Sequence, residues 1–124
     1  MPKSGSKMRA VVLNAAIWLF LYLLTVLYLS MNIGSSMNVY DEGVRVYGTA
    51  RVLNGDLPVR DFWTLYSPGL FLFYAGLFKV FGIKLIVARW ANVLAIALVP
   101  VMLAAWLKTR TSCFWALLLS LIHI

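Results

Sequence analysis

The chain of 124 residues is 63% apolar and 12% charged, and 11 Lys and Arg against 4 Asp and Glu give a formal charge of +7. Ordinary soluble chains carry about 25% charged residues, so the composition argues against a water-soluble globule and for an integral membrane protein. One cysteine, Cys113, excludes an internal disulfide; one histidine, His123, excludes a Cys/His zinc cluster and a Ser-His-Asp triad within the chain; and basic residues scattered at the edges of apolar runs argue against nucleic-acid binding.

In chain order, a basic tail over 1–9, with Lys3, Lys7 and Arg9, precedes an uncharged stretch that begins at Ala10 and continues to Tyr40. Residues 10–30 supply the roughly 20 apolar positions needed to cross hydrocarbon and predict a first transmembrane helix. A cleaved signal peptide fits less well, because the run is too long and no small-x-small site follows it. The positive-inside bias sets the amino terminus in the cytoplasm and residues 31–67 outside. That outer segment holds all four acidic residues, Asp41, Glu42, Asp56 and Asp61. Asn38 suits a helix N-cap, Asp41 and Glu42 suit the first turn, and Asn54-Gly55 suits a stop, which predicts a juxtamembrane helix over about 39–53. Val46, Ala50 and Leu53 share one face of it, giving an amphipathic helix resting on the membrane.

Residues 68–83, opened by Ser67-Pro68-Gly69, predict a thin second span; Gly82 to Lys84 make a cytoplasmic turn; and 85–107 predict a third span with Arg89 at its inner end and Pro100 as a tolerated kink. Lys108 and Arg110 then fall at the outer end. Residues 112–124 begin a fourth span, but the run Thr111 to Ile124 covers only about 21 Å of the roughly 30 Å hydrocarbon core, so the chain reads as truncated. Residues 119–124, LSLIHI, also match the translation of a transposon-end sequencing adapter, so His123 is assigned no role. The predicted fold is therefore an all-α integral membrane protein of three transmembrane helices, a partial fourth and a juxtamembrane amphipathic helix.

The segments Tyr40-Asp41-Glu42-Gly43, Asn54-Gly55-Asp56-Leu57-Pro58-Val59-Arg60-Asp61-Phe62-Trp63 and Tyr66-Ser67-Pro68-Gly69, with the later Phe81-Gly82 and Arg89, carry a family resemblance. Together they resemble the amino-terminal region of the C-fold, family 39-like glycosyltransferases. Those membrane enzymes use polyprenyl-phosphate sugars and include protein O-mannosyltransferases and the lipid A aminoarabinose transferase. The resemblance covers about 10–110, and Ser67-Pro68-Gly69 stands where many members carry Pro-Pro. It implies an inverting transferase on the outer face of a bacterial cytoplasmic membrane. Its donor and partner would be a lipid-linked sugar, with membrane lipid around it; no cofactor is assigned, and a divalent metal is left open. Asp41 matches the family's catalytic position.

The chemistry fits those residues independently. Inverting sugar transfer needs one base for the acceptor hydroxyl proton, and a departing phosphate needs only cationic or amide stabilisation. Asp41 is the expected base, with its pKa raised by partial desolvation at the membrane surface. Glu42 would bind the acceptor or orient the loop, since neighbouring helical positions point about 100° apart. Asp61, after Arg60, is either a local ion pair or a second polar site residue. Arg60, Arg51 and Arg45 would meet a lipid phosphate or ordinary headgroups, and Tyr66 and Trp63 a sugar or the membrane interface. The structural alternative is that two acids in a first helical turn stabilise it through the dipole by about 0.3–1 kcal/mol each. The matching functional alternative is a non-catalytic small multi-span membrane protein, an adaptor or a transporter subunit.

Overall fold

The computed structural model describes residues 4–122, so Lys3 of the basic tail and His123 lie outside the described residues. Every extended element among them is helical, and two compact units divide the chain: 1–31 with 93–124, and 32–92.

The first unit is built on helix α1 (Ser4–Ser30). Its window Val11–Ser30 is long and apolar enough to cross a membrane. Hydroxyls inside the helix are absorbed by its own backbone: buried Thr25 donates to the Leu21 carbonyl at 2.9 Å, and Ser30 to the Leu27 carbonyl at 2.8 Å. A second stretch passes the same test, Leu85–Leu107, 23 residues and about 35 Å long. It consists of α4 (Leu85–Ile96) and α5 (Leu98–Leu107). The break between them at Ala97 follows from Pro100, which has no N–H for the Ile96 carbonyl and crowds it with its ring. α6 (Cys113–Leu121) packs on α5, and Ala97, Ala104 and Ala116 are fully buried, small residues that let apolar helices approach closely.

α1 and α5 pack antiparallel. Tyr22 donates to the Leu94 carbonyl at 3.3 Å, and Lys108 Nζ donates to Asn14 Oδ1 at 2.6 Å while lying 5.2 Å from the Trp18 ring centroid. Positions 31 and 93 thus lie at one end of this pair, and 14 and 108 at the other. This corrects the sequence reading, which put Lys108 at the outer end of a third span. The polar side chain of Asn14, near the start of the first apolar run, is what captures its ammonium.

The second unit contains a π-helical turn (Val39–Gly43), α2 (Val44–Leu53), α3 (Pro68–Phe81) and the start of α4. Pro68 suits the first turn of α3, where its missing N–H costs nothing, and Gly82 closes it at φ +82°. Phe71, Tyr74, Ala75 and Phe78, spaced along one face of α3, are its buried residues. Tyr74 and Phe78 join Ala88 in the core, flanked by Val46 and Leu53 of α2. Tyr74 Oη also donates to Asn92 Oδ1 at 2.5 Å, tying α3 to α4. With 14 residues, α3 is about 21 Å long, shorter than the hydrocarbon thickness.

Two glycines test this packing in opposite senses. A Cβ on Gly48 of α2 would stand 2.5 Å from the ring of Phe71, itself fully buried and held edge-on by Phe62 at 5.6 Å and Tyr66 at 6.3 Å. A Cβ on Gly76 of α3 meets nothing within 4 Å. Gly48→Ala should therefore lower stability by about 1–3 kcal/mol despite its better helix propensity. Gly76→Ala should raise stability by up to about 1 kcal/mol. Thermal melting of the two variants in one detergent checks the opposite signs; equal shifts would remove the α2–α3 contact from the account.

Candidate functional site

The site begins with Asn38. Its side-chain Oδ1 accepts from the Tyr40 and Asp41 amides at 3.1 and 3.3 Å, and its own N–H donates to Glu42 Oε2 at 3.1 Å, a reciprocal cap. The Asn38 carbonyl accepts from both the Glu42 amide at 2.8 Å and the Gly43 amide at 3.2 Å. The predicted single helix over 39–53 is therefore a π turn followed by α2, and such widened turns recur at functional sites. Asp41 and Glu42 consequently face different partners.

Asp41 is held on both carboxylate oxygens. Arg45 Nη2 donates to Oδ2 at 2.7 Å, Arg45 Nε to the Asp41 carbonyl at 3.2 Å, and the Tyr66 hydroxyl donates to Oδ1. Arg45 also lies 5.8 Å from the Tyr66 ring centroid. The Asp41 side chain remains 48% exposed while both of its oxygens are bonded, so its partners fix its orientation. Tyr66 is pushed above the ordinary phenol range by the Asp41 carboxylate, then by burial, which keeps it a hydrogen-bond donor.

Glu42 is spent differently. Arg89 of α4 forms a two-pronged pair with it, Nε to Oε1 at 2.8 Å and Nη2 to Oε2 at 2.7 Å, with side chains only 12% and 19% exposed. Arg89 further donates to the carbonyls of Ile33 and Ser35, both at 2.7 Å, and of Ser36 at 3.2 Å. The sequence reading placed Arg89 at an inner helix end, across the membrane from residues 31–67. The structure corrects this: Arg89 binds that very segment. Its signal was present, since Arg89 is the one ionisable residue in the apolar run 85–107, and such residues are held by partners.

The predicted substrate-binding residues Arg60 and Asp61 bond to each other, Nε to Oδ1 at 2.9 Å and Nη2 to Oδ2 at 2.8 Å, rather than to Asp41. Asp61 also accepts from the Leu57 amide at 2.7 Å, and Arg60 with that amide pulls its carboxyl down to about 2. This clasp closes a loop in which Val59 takes φ +73°, a conformation costing a β-branched residue about 1–3 kcal/mol. Arg51 pairs with Asp56 at 2.6 Å and stacks 4.8 Å from the Phe62 ring centroid. Arg45, Arg51, Arg60 and Arg89 thus each hold one of the four acids, and Arg60, 68% exposed, is the most open of them. Trp63 is 81% exposed, while Tyr66 sits on Asp41.

Between the two ion pairs of Asp41 and Glu42 a cavity of about 10 Å³, bordered by Arg45, Tyr74, Arg89 and Asn92, has room for one water. The open approach to Asp41 is its exposed solvent side. Among the described residues no three His, Cys, Asp or Glu side chains gather into a metal-holding group.

Breaking the Glu42–Arg89 pair should free residues 33–38 while leaving the α2–α3 core folded. In Arg89→Gln, hydrogen exchange over this segment is expected to rise at least about tenfold, with little change in α3. Arg89 holds the Glu42 carboxyl below the ordinary glutamate range; burial opposes this and the Asn38 amide assists it. Its stabilisation is therefore complete above the ordinary value of 4.5 and is lost as pH falls through the lower folded value. Glu42→Gln should flatten that acid limb of the melting curve; an unchanged limb would assign it to other carboxylates.

No family model matches the chain, and no curated protein or solved structure matches it.

Proposed function

We propose that the chain is the amino-terminal part of an inverting glycosyltransferase that moves a sugar from a polyprenyl phosphate to an acceptor hydroxyl at the outer membrane face. The observation that carries this reading is the contrast within one acidic pair: Glu42 is enclosed by Arg89, whereas Asp41 is steered on both oxygens yet half open to solvent. In the reaction, Asp41 takes the proton of the acceptor hydroxyl as that oxygen bonds to the anomeric carbon. The bond from that carbon to the phosphate oxygen breaks, and its electron pair leaves with the lipid phosphate. Arg45 and Tyr66 position the base, and Arg60, the most exposed of the four paired arginines, is the cation assigned in this reading to the departing phosphate. The resemblance in the segments around Asp41, Asp61 and Pro68 supports the donor class.

In this reading the membrane is crossed by α1 and by Leu85–Leu107, with residues 32–84 on the outer side. The antiparallel α1–α5 pair supports that arrangement, as does the Arg89 contact with residues 33–36. Lys108 and Arg110 then share the amino-terminal face with Lys3, Lys7 and Arg9, which suits the positive-inside bias. On a Cys113→Ser background, cysteines introduced at Ser35 and Thr109 should react with an impermeant maleimide from opposite faces. Reaction of both from one face would restore a third span over 68–83.

In the full-length enzyme, Asp41→Asn should lower kcat by at least about 10²-fold with folding retained by circular dichroism, and Tyr66→Phe should lower it less. Full activity in Asp41→Asn would leave the acidic pair as a helix-capping device and favour the non-catalytic reading, which the pairing of all four acids with arginines already suits.

A further inference from the structure

Away from Asp41, the second unit carries an open groove of about 380 Å³ between the end of α2, the turn after it and the outer face of α3. That volume falls in the range of small-molecule sites. Leu53, Leu57, Leu72 and Ala75 make its walls apolar, and Gly76 leaves its floor without a side chain. Two ionisable residues line it, Asp56 and Lys79. Asp56 is neutralised by Arg51 at 2.6 Å, whereas Lys79 makes no ion pair or hydrogen bond among the described residues. Arg51, Asp56 and Lys79 together leave one uncompensated positive charge beside an apolar slot.

An apolar slot with a free ammonium at its edge complements an amphiphile with an acyl chain and an anionic head. Helices long and apolar enough to cross a membrane stand before this unit and lead out of it, so bilayer lipid is the amphiphile at hand. We propose that this groove binds one anionic phospholipid, its acyl chain along Leu53, Leu57 and Leu72 and its phosphate on Lys79. The inference is independent of the catalytic reading, because none of these residues touches Asp41.

Native mass spectrometry of the full chain, extracted from bilayers of equal phosphatidylglycerol and phosphatidylethanolamine, tests it. The wild-type chain is expected to retain one phosphatidylglycerol in preference, and Lys79→Gln to reduce that preference about fivefold, the worth of one lysine at an anionic lipid. Gly76→Leu, which fills the floor with no backbone to displace, should lower retention of both lipids without lowering the melting temperature. Equal retention of both lipids by the wild type, unchanged preference in Lys79→Gln, or displacement of the lipid by millimolar inorganic phosphate would each overturn the assignment. Because Lys79 is exposed, its substitution leaves the fold intact and decides the case even if Gly76→Leu fails to fold.

Discussion

The second unit depends on one guanidinium. Arg89 rises from the first turns of α4 and makes five hydrogen bonds, two to Glu42 and three to backbone carbonyls between Ile33 and Ser36. Burying a charge is tolerated only where a counter-charge and hydrogen bonds replace its lost hydration, and here both are supplied in full. The planar fork of arginine suits this task in a way a lysine ammonium does not. An otherwise irregular segment that has few apolar contacts of its own is thereby ordered through its backbone.

The same pair divides labour between two adjacent acids. The π turn built on Asn38 sends Glu42 towards α4 and Asp41 towards Arg45 and Tyr66. A carboxylate locked by a buried guanidinium has no free face for chemistry. One gripped by a tyrosine and a largely buried arginine, yet itself half exposed, keeps lone pairs available while losing rotational freedom, the condition the proposed base requires. Two different sets of partners thus fall on consecutive residues, and the geometry of the turn is what keeps them apart.

Charge compensation runs through the unit as a whole. Four arginines meet four acids, one to one, and the loop around Val59 is held in a strained conformation by one of these pairs and by the Leu57 amide. Surface pairs such as Arg60–Asp61 contribute little to stability in water. Their part here is geometric, fixing which way the loop turns and which cations stay free. Lys79 and Lys84 are the basic residues of the unit left outside this scheme.

Much of this was legible in the residues alone. The first long apolar helix follows from an uncharged run of sufficient length, the cap from Asn38, the end of α2 from Asn54-Gly55, and the break before Pro100 from its missing donor. The divergence of Asp41 and Glu42 follows from helical spacing. These are local facts, settled by bonding within a few positions of the chain. What only the tertiary structure decided is pairing across long separations: Arg89 with Glu42, 47 positions away, Lys108 with Asn14, 94 positions away, and Tyr66 with Asp41, 25 positions away. An arginine beside an apolar helix reads the same whether it snorkels to a headgroup or grips a distant glutamate, because composition and periodicity carry no record of which polar group the fold brings within 3 Å. That choice is made by packing, and it determined the partner of Glu42, whereas Asp41, Asp56 and Asp61 each pair with an arginine within five positions of the chain.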